Sequence, residues 1–309
     1  MDHILSINRT NIEVQSGNFS SWYENFSRQQ NFEETESERL KKDIERLRKA
    51  AGRTVTWSDR VEASKRGAAD KGYVGHKSAK MMKRSKSIEA RRTKAAEEKS
   101  TLLKNVEKAE ELKIHPLIHR SDTLAVFSDV APVYGGTEVC SPVNFEIHCG
   151  DRLFLDGRNG SGKSSLLKLL AGDDIEHRGK VDRASGLVIS YVPQNAGELK
   201  GYLPDFARER GIDVSLFMTI LRKMDFERVQ FEKRMDDYSA GQKKKVLLAK
   251  SLCEKAHLYI WDEPLNYIDI YSRMQIEQLI RDFSPTMLLV EHDGAFRDAV
   301  ATGEIKVRG

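Results

Sequence analysis

The sequence has few cysteines and no long apolar run. Its 309 residues include three cysteines, Cys140, Cys149 and Cys253, an odd number without metal-binding spacing. These thiols are therefore predicted to be reduced, structural side chains in a cytoplasmic protein. No apolar run approaches the roughly 20 residues that a membrane-spanning helix requires, so direct membrane insertion is not expected. Residues 1–5 also lack the basic flank and apolar core of a signal peptide.

Acidic residues are scarce in one segment of the chain. Between residues 53 and 94 there are thirteen Lys or Arg and four Asp or Glu, a balance of +9. Because the net charge of the whole chain is +4, the remainder must carry −5. A strongly basic segment on a mildly acidic body favours a polyanionic partner, most simply nucleic acid.

Residues 157–164 form a glycine-rich pattern, G-x-x-x-x-G-K-S, between two apolar segments. The apolar runs predict a strand before the turn and a helix after it, which is the context of a phosphate-binding loop rather than of a simple turn. Glycines let backbone N–H groups converge on an anion, and the helix start adds its dipole. The predicted nucleotide-binding residues of this loop are Gly157, Asn159, Gly160, Ser161, Gly162, Lys163, Ser164 and Ser165. Lys163 is expected to reach the β- and γ-phosphates and Ser164 to bind Mg²⁺.

Residues 122–309 alternate apolar strands with helices. Strands are predicted at 123–127, 153–155, 188–194, 258–264 and 287–293, and a helix is predicted to begin with residues 238–242. Such near-continuous apolar strands indicate a buried, mostly parallel sheet in an α/β fold, with ligands at the carboxyl ends of the strands. Polar side chains stand at those ends: Gln194, Asp262, Glu263 and His292.

The order of these motifs resembles that of the ATP-binding cassette (ABC) ATPases over the last 190 or so residues. The resemblance implies that ATP and Mg²⁺ are bound, with Tyr134 stacked on adenine. It implies that Gln194 contacts Mg²⁺ and the attacking water, that Asp262 holds the metal through water, and that Glu263 is the general base. His292 is implied to contact the γ-phosphate. As strand-end polar residues, Gln194 and His292 also have a purely structural interpretation.

Phosphoryl transfer requires charge neutralisation at the transferred group and a positioned water. Lys163 with Mg²⁺ is expected to supply the first and Glu263 the second. The predicted catalytic residues are therefore Glu263, His292 and Lys163, and the predicted metal-binding residues are Ser164, Gln194 and Asp262.

The segment 238–242, Y-S-A-G-Q, resembles the ABC signature L-S-G-G-Q, with Ala240 at the first glycine. In that family the start of this helix faces the ATP of the opposite cassette. Ser239, Gly241 and Gln242 are thus expected to contact nucleotide across a dimer. One cassette is then incomplete, so the resemblance implies a second cassette, either a missing first half or a second copy, and weak ATPase activity without it.

A long helical hairpin is predicted before the cassette. A polar helix over 21–50 carries a thin apolar stripe, and a second helix runs from about 77 to 113. The hairpin has two interpretations, a solvated spacer and an RNA-binding element. Lys and Arg residues crowd the start of the second helix, and because such like charges destabilise a helix, they favour RNA contact over a spacer. The cationic residues expected to contact RNA are Lys77, Lys80, Lys83, Arg84, Lys86, Arg91 and Arg92.

Three features resemble the ABC-F class, which has no transmembrane domains. Residues 263–269 match its E-P-x-N-x-x-D run, the hairpin resembles the linker between its two cassettes, and the segment 72–84 looks like the antibiotic-resistance branch. The branch protects bacterial ribosomes from lincosamides, streptogramin A and pleuromutilins. The resemblance implies ribosome and large-subunit rRNA binding, with or without contact to tRNA, and protection from antibiotics of the peptidyl-transferase centre.

The predicted domains are a strand hairpin left from a preceding cassette (1–25), a basic helical-hairpin linker (26–120) and an ABC cassette (121–309). Two other functions remain open. One is the ATPase subunit of an ABC membrane transporter, and the other is a truncated RNA-binding remnant that does not hydrolyse ATP.

Overall fold

A computed structural model describes two compact units, Met1–Lys108 and Ala109–Gly309. Nearly all of the second unit is described, from 111 to 309 apart from residue 198. The described residues of the first unit are 3–7, 12–16, 25, 28, 32, 35, 36, 38–46, 49, 87, 90, 91 and 94.

The first unit begins with a two-stranded antiparallel hairpin. Strand β1 (His3–Ile7) pairs with β2 (Ile12–Ser16), so that His3 lies opposite Ser16 and Ile7 opposite Ile12. This confirms that residues 1–25 contain a strand hairpin. All described residues between 25 and 49 are helical, and Ile44 is buried among exposed charged neighbours, as the stripe predicts.

The described residues 87, 90, 91 and 94 are also helical. Of the predicted RNA-contacting residues, only Arg91 is described, and its side chain is exposed. The others lie outside the described residues: Lys77, Lys80, Lys83, Arg84, Lys86 and Arg92.

A five-stranded parallel sheet forms the middle of the second unit. Its strands are β6 (Arg152–Asp156), β8 (Ile189–Val192), β9 (Leu258–Asp262), β10 (Met287–Val290) and β11 (Gly303–Lys306), in the order β11-β6-β10-β9-β8. All four strand pairs are parallel. Strands β9 and β10 are buried throughout, which explains their continuous apolar sequences and confirms the predicted sheet.

A second, antiparallel sheet consists of β3 (Thr123–Tyr134), β4 (Thr137–Glu138), β5 (Val143–His148) and β7 (His177–Arg183). Only the start of β3 is evident in the sequence. Strand β7 reads H-R-G-K-V-D-R and is almost wholly exposed, so it has no apolar alternation by which to recognise it.

Seven helices surround the sheets in the described part of the second unit. They are α1 (Lys163–Ala171), α2 (Leu203–Glu209), α3 (Val214–Lys223), α4 (Arg228–Phe231), α5 (Ala240–Cys253), α6 (Ile270–Phe283) and α7 (Gly294–Val300). Within this described set, no helix is long and apolar enough to cross a bilayer. Helices α2 to α4 form a helical insertion between Gln194 and Tyr238.

The parallel sheet separates two hydrophobic cores, because successive side chains of a strand point to opposite faces. Leu258 and Ile260 pack with α1 and the antiparallel sheet. Tyr259 and Trp261 pack on the other side, with α5, α6 and the helical insertion. The loops at the carboxyl ends of β6, β8, β9 and β10 are thereby held on a rigid frame.

The predicted helical end at about residue 113 is wrong, because residues 111–119 are not helical. Leu112 and Ile114 are both buried in the core around Trp261, with exposed neighbours on either side. This alternation is that of an extended segment. The segment is also tied to the cassette by the Leu117 N–H, which donates to the Ala256 carbonyl at 2.8 Å.

Candidate active site

The loop between β6 and α1 has a backbone that requires glycine. Gly160 and Gly162 have φ angles of +82° and +86°, in the left-handed region that side chains disfavour. At Gly157 a Cβ atom would overlap the Val307 carbonyl oxygen and lie 2.7 Å from Ser161 Oγ. The loop therefore curls closely around its own backbone before α1 begins at Lys163.

Lys163 is buried inside this loop. Its ammonium donates to the carbonyls of Gly157 and Arg158 at 2.7 and 2.9 Å. A lysine has three N–H donors, and within the described residues these two bonds use two of them. The loop thus holds a positive charge at the start of a helix, where an anion is stabilised.

A cleft of about 520 Å³ adjoins the loop and brings distant residues together. Its lining residues are Val139, Asn159, Gly160, Gly162, Lys163, Ser164, Ser165, Gln194, Glu263 and His292. Tyr134 is half-exposed, and its hydroxyl lies 3.1 Å from Ser165 Oγ, which fixes the ring beside the loop. The residues predicted separately from three strand ends therefore share one cavity.

Glu263 is held by two neighbours at the edge of this cleft. Its Oε1 lies 3.6 Å from His292 Nε2, and its Oε2 accepts a 2.5 Å hydrogen bond from Asn266 Nδ2. The backbone of Glu263 has φ +47°, an uncommon conformation for a non-glycine residue. In the sequence, Asn266 stands out only as part of the E-P-x-N-x-x-D run.

Asp262 fits a divalent cation. It is 1% exposed, and neither of its carboxylate oxygens has a hydrogen-bond partner among the described residues. Burial raises the pKa of Asp262, and the nearby Ser164 hydroxyl and the Lys244 and Lys163 ammonium groups oppose the shift only in part. A buried carboxylate without a partner is costly. Oxygen ligands suit Mg²⁺, and Asp262 shares a second, adjoining cleft with Ser164 and Gln194.

Lys244 is a buried residue that the motifs did not identify. Its ammonium donates to the carbonyls of Pro193, Gln194 and Asp262 at 3.0, 3.4 and 2.8 Å. Burial lowers the pKa of Lys244 to about 8, although nearby carboxylates act in the other direction. In the sequence it is the middle of three lysines, so only its position in α5 distinguishes it.

Glu291 is a second buried residue that the motifs did not identify. Its Oε2 accepts from the Leu265 N–H at 3.1 Å, and its Oε1 accepts from the N–H groups of His292 and Asp293 at 2.7 and 3.3 Å. The carboxylate therefore joins the loop that follows Glu263 to the loop that carries His292.

The signature segment 238–242 forms the start of α5. Ser239 is the N-cap: its Oγ accepts from the Gln242 N–H at 3.3 Å, and Gln242 Oε1 accepts from the Ser239 N–H at 3.0 Å, a capping box. Ser239, Gly241 and Gln242 are not among the described residues that line the cleft beside Lys163. The structure therefore does not bring these three predicted residues to the cleft of their own chain.

Comparison with known proteins gives a family match, described as ABC transporter, over residues 140–266. The ribosome protection protein VmlR of Bacillus subtilis is 24% identical over 97% of this chain and 55% of its own length. The ATP-binding protein Uup of Caulobacter vibrioides is 30% identical over 57% of this chain and 30% of its own length. The zinc import ATP-binding protein ZnuC of Yersinia enterocolitica is 31% identical over 55% of this chain and 71% of its own length. The chain thus spans only about half of VmlR and a third of Uup.

Solved structures share the cassette fold. The RNase-L inhibitor is 27% identical with a TM-score of 0.51, and the match covers 62% of this chain and 38% of that chain. A cobalt transport ATP-binding protein has the same TM-score at 20% identity, over 59% of this chain and 78% of that chain, which shows the fold alone.

Proposed function

Because the chain belongs to the ABC ATPase family, we propose that the cleft beside Lys163 binds and hydrolyses ATP with Mg²⁺. The observation that carries this proposal is the convergence of Lys163, Glu263 and His292 on one cavity. Ser164, Gln194 and Asp262 are the residues that would hold Mg²⁺, which would neutralise charge on the phosphates. Tyr134 would stack on the base from the edge of the loop.

Each side chain of the cleft has a distinct task in this proposal. Lys163 binds the β- and γ-phosphates from inside the loop. Glu263 takes the proton of the attacking water, and the bond from Asn266 to its Oε2 leaves Oε1 on the side of His292. His292 contacts the transferred γ-phosphate. Because phosphoryl transfer depends mostly on positioning and charge, these fixed contacts account for the chemistry.

A second cassette completes the site in this proposal. Ser239, Gly241 and Gln242 would contact the ATP of that second cassette, either a second copy of this chain or a separate first half. The chain alone would therefore hydrolyse ATP slowly.

The wider role that we propose is that of an ABC-F protein on the bacterial ribosome. The match to a ribosome protection protein extends over 97% of this chain, beyond the cassette. Residues 1–25 would be the end of a preceding cassette, 26–120 the linker and 121–309 the ATPase. The linker's cations would contact large-subunit rRNA in the cytoplasm, and binding would protect the ribosome from drugs of the peptidyl-transferase centre.

A transporter subunit is a second candidate, favoured by the 31% identity to a zinc import ATP-binding protein. That match covers 55% of this chain and so gives no account of the basic segment at 53–94. We therefore prefer the ribosomal role. A remnant that binds RNA without hydrolysing ATP is the third outcome of the test below.

Replacing Glu263 with Gln tests the proposal. Removal of a general base slows a reaction by about 10²- to 10⁴-fold, so Glu263→Gln should hydrolyse little ATP and accumulate on ribosomes when ATP is present. Glu176→Gln, on an exposed carboxylate, is the matched control. Hydrolysis and sedimentation with ribosomes are measured for the chain alone and with a separate first cassette.

Three results would count against the proposal. Equal ribosome binding of Glu263→Gln with and without ATP would remove the ATP-controlled role. Co-purification with a membrane protein instead of ribosomes would favour the transporter. A wild-type chain that stays inactive even with a first cassette, yet binds RNA, would indicate the remnant.

A further inference from the structure

Lys244 connects three parts of the proposed site through its ammonium group. It lies in α5, and its acceptors are the carbonyl oxygens of Pro193, Gln194 and Asp262. The first two belong to the loop after β8, and the third is the last residue of β9. These acceptors are 51, 50 and 18 residues away along the chain, respectively. One side chain therefore binds the backbone of two residues whose side chains would hold the metal.

The ammonium of Lys244 is buried and hydrogen-bonded to three carbonyl oxygens. The residue is 2% exposed. Its three acceptors match its three N–H donors in number. A buried charge is tolerated only when it is fully hydrogen-bonded or paired. The carboxylates of Asp262, Glu263 and Glu291 also act on this charge. The removal of the ammonium would take this donor away from the part-buried carbonyls of the 193–194 loop and from the buried carbonyl at the end of β9.

We propose that Lys244 is a positioning residue that fixes the loop 193–197 against the end of β9, so that Gln194 and Asp262 keep one geometry toward the phosphates. The effect on hydrolysis rests on the proposed function, whereas the effect on the loop does not. Lys244 belongs to the second turn of the helix whose start would face the second cassette. The same ammonium thus links the residues that act across a dimer to those that act within the chain.

Backbone exchange tests the positioning directly. Lys244→Met keeps a long apolar side chain of similar volume but removes the three donors. We expect hydrogen–deuterium exchange of the amides at 194–197 to rise at least about threefold, because local opening becomes easier. Lys243→Met, one residue earlier on the same helix, is the matched control and should leave this exchange unchanged. Lys244→Arg retains the charge and donors and should restore most of the protection.

Steady-state kinetics test the consequence for hydrolysis. A group that acts by positioning lowers kcat more than it raises KM. We expect Lys244→Met to lower kcat at least about tenfold while KM for ATP changes less than about threefold, and Lys244→Arg to recover part of kcat. A lesion that merely loosened the fold would lower kcat and thermal stability together in both variants.

The possible outcomes separate the two proposals. Unchanged exchange at 194–197 in folded Lys244→Met overturns the positioning role, whatever the ATPase result. If Lys244→Met fails to fold, the Lys244→Arg variant is decisive. The positioning role is overturned if the amides at 194–197 of Lys244→Arg exchange as fast as in the unfolded chain while its thermal stability equals that of the wild type. If exchange at 194–197 rises in Lys244→Met but the wild-type chain never hydrolyses ATP, the two results have different consequences. The raised exchange supports the positioning role, and the absent hydrolysis counts against the proposed function.

Discussion

Two neighbouring residues at the start of α5, Ala240 and Gly241, differ by one methyl group. Ala240 stands where the signature pattern has its first glycine, and it is exposed. At Gly241, by contrast, a Cβ atom would lie 2.5 Å from the Tyr267 carbonyl oxygen, which real Cβ atoms do not tolerate. Tyr267 itself has φ +64° and an exposed ring, so its backbone is already in an uncommon conformation. The departure at Ala240 is thus sterically harmless, whereas Gly241 is required within the chain.

Gly241→Ala should therefore disturb the loop that carries Tyr267. Overpacking of this kind costs about 1–3 kcal/mol in the free energy of unfolding. Since the loop also holds Asn266, we expect slower ATP hydrolysis as well. Urea unfolding and ATPase rates measure the two effects. Ala240→Gly is the matched control and should cost no more than about 1 kcal/mol. Equal stability of Gly241→Ala and the wild type would contradict the close approach.

The residues found from the sequence differ in kind from those that were missed. Lys163, Gln194, Glu263 and His292 stand in contiguous motifs at strand ends, so topology alone predicts their convergence. Lys244 and Glu291 act through hydrogen bonds to groups whose positions depend on the tertiary fold. Glu291, for example, accepts from backbone N–H groups on two loops, and the N–H of Leu265 is 26 residues away from it along the chain. The periodicity and residue spacing of the sequence give no signal for such a bond.

Among the elements, burial decided which were visible in the sequence. The parallel strands β9 and β10 are fully buried and were predicted from their apolar runs. Strand β7 is exposed and was missed, because its pairing with β3 depends on backbone bonds rather than on side chains. The predicted helix extends to about residue 113, whereas residues 111–119 are extended because the core selects the alternating apolar residues Leu112 and Ile114. Tertiary packing overrode local preference there.

Helix α6 is fixed at its start by Asp269. The carboxylate accepts from the Ser272 N–H and the Ser272 hydroxyl, both at 2.9 Å, and pairs with the Lys245 ammonium at 2.6 Å. Burial raises the pKa of Asp269, but the Lys245 charge and the bonds from Ser272 outweigh it and leave the pKa below 3.8. The residue thus joins α6 to α5, the helix that begins with the signature segment.

Asp269→Ala should destabilise the chain by about 1–2 kcal/mol through the lost helix cap, and Asp269→Asn by less, since asparagine also caps. A carboxylate with a lowered folded-state pKa stabilises above its unfolded pKa of 3.8 and loses that stabilisation as the pH falls through the lower value. The difference in unfolding free energy between wild type and Asp269→Asn should therefore be constant from pH 7 to 5 and shrink below 3.8. Urea unfolding across this range is the measurement. A difference that grows toward acid pH would contradict the assignment.

At the scale of the whole molecule, the proposed function needs both the cassette and the basic segment before it. The cassette supplies an ATP site whose signature helix does not reach its own cleft. The segment 53–94 carries a charge of +9 against −5 on the rest of the chain. Because of this asymmetry, we expect a polyanion to bind the segment 53–94 more strongly than the rest of the chain.

Reversal of the charge at Lys80, Lys83, Arg84 and Lys86 to Glu tests that asymmetry. Phosphate contacts release counterions, and each contributes about 0.7–0.9 to the slope of log affinity against log salt concentration. Loss of four contacts should lower the slope by about 3 and weaken ribosome binding most at low salt. Sedimentation with ribosomes between 50 and 300 mM salt, roughly the range over which such binding is lost, measures both. The matched control reverses Lys113, Lys200, Lys233 and Lys255, which are exposed in the second unit, outside the basic segment, and change the net charge equally. If both quadruple variants lower the slope alike, only the net charge matters. If neither does, the basic segment is a solvated spacer, and the ATPase drives some other partner.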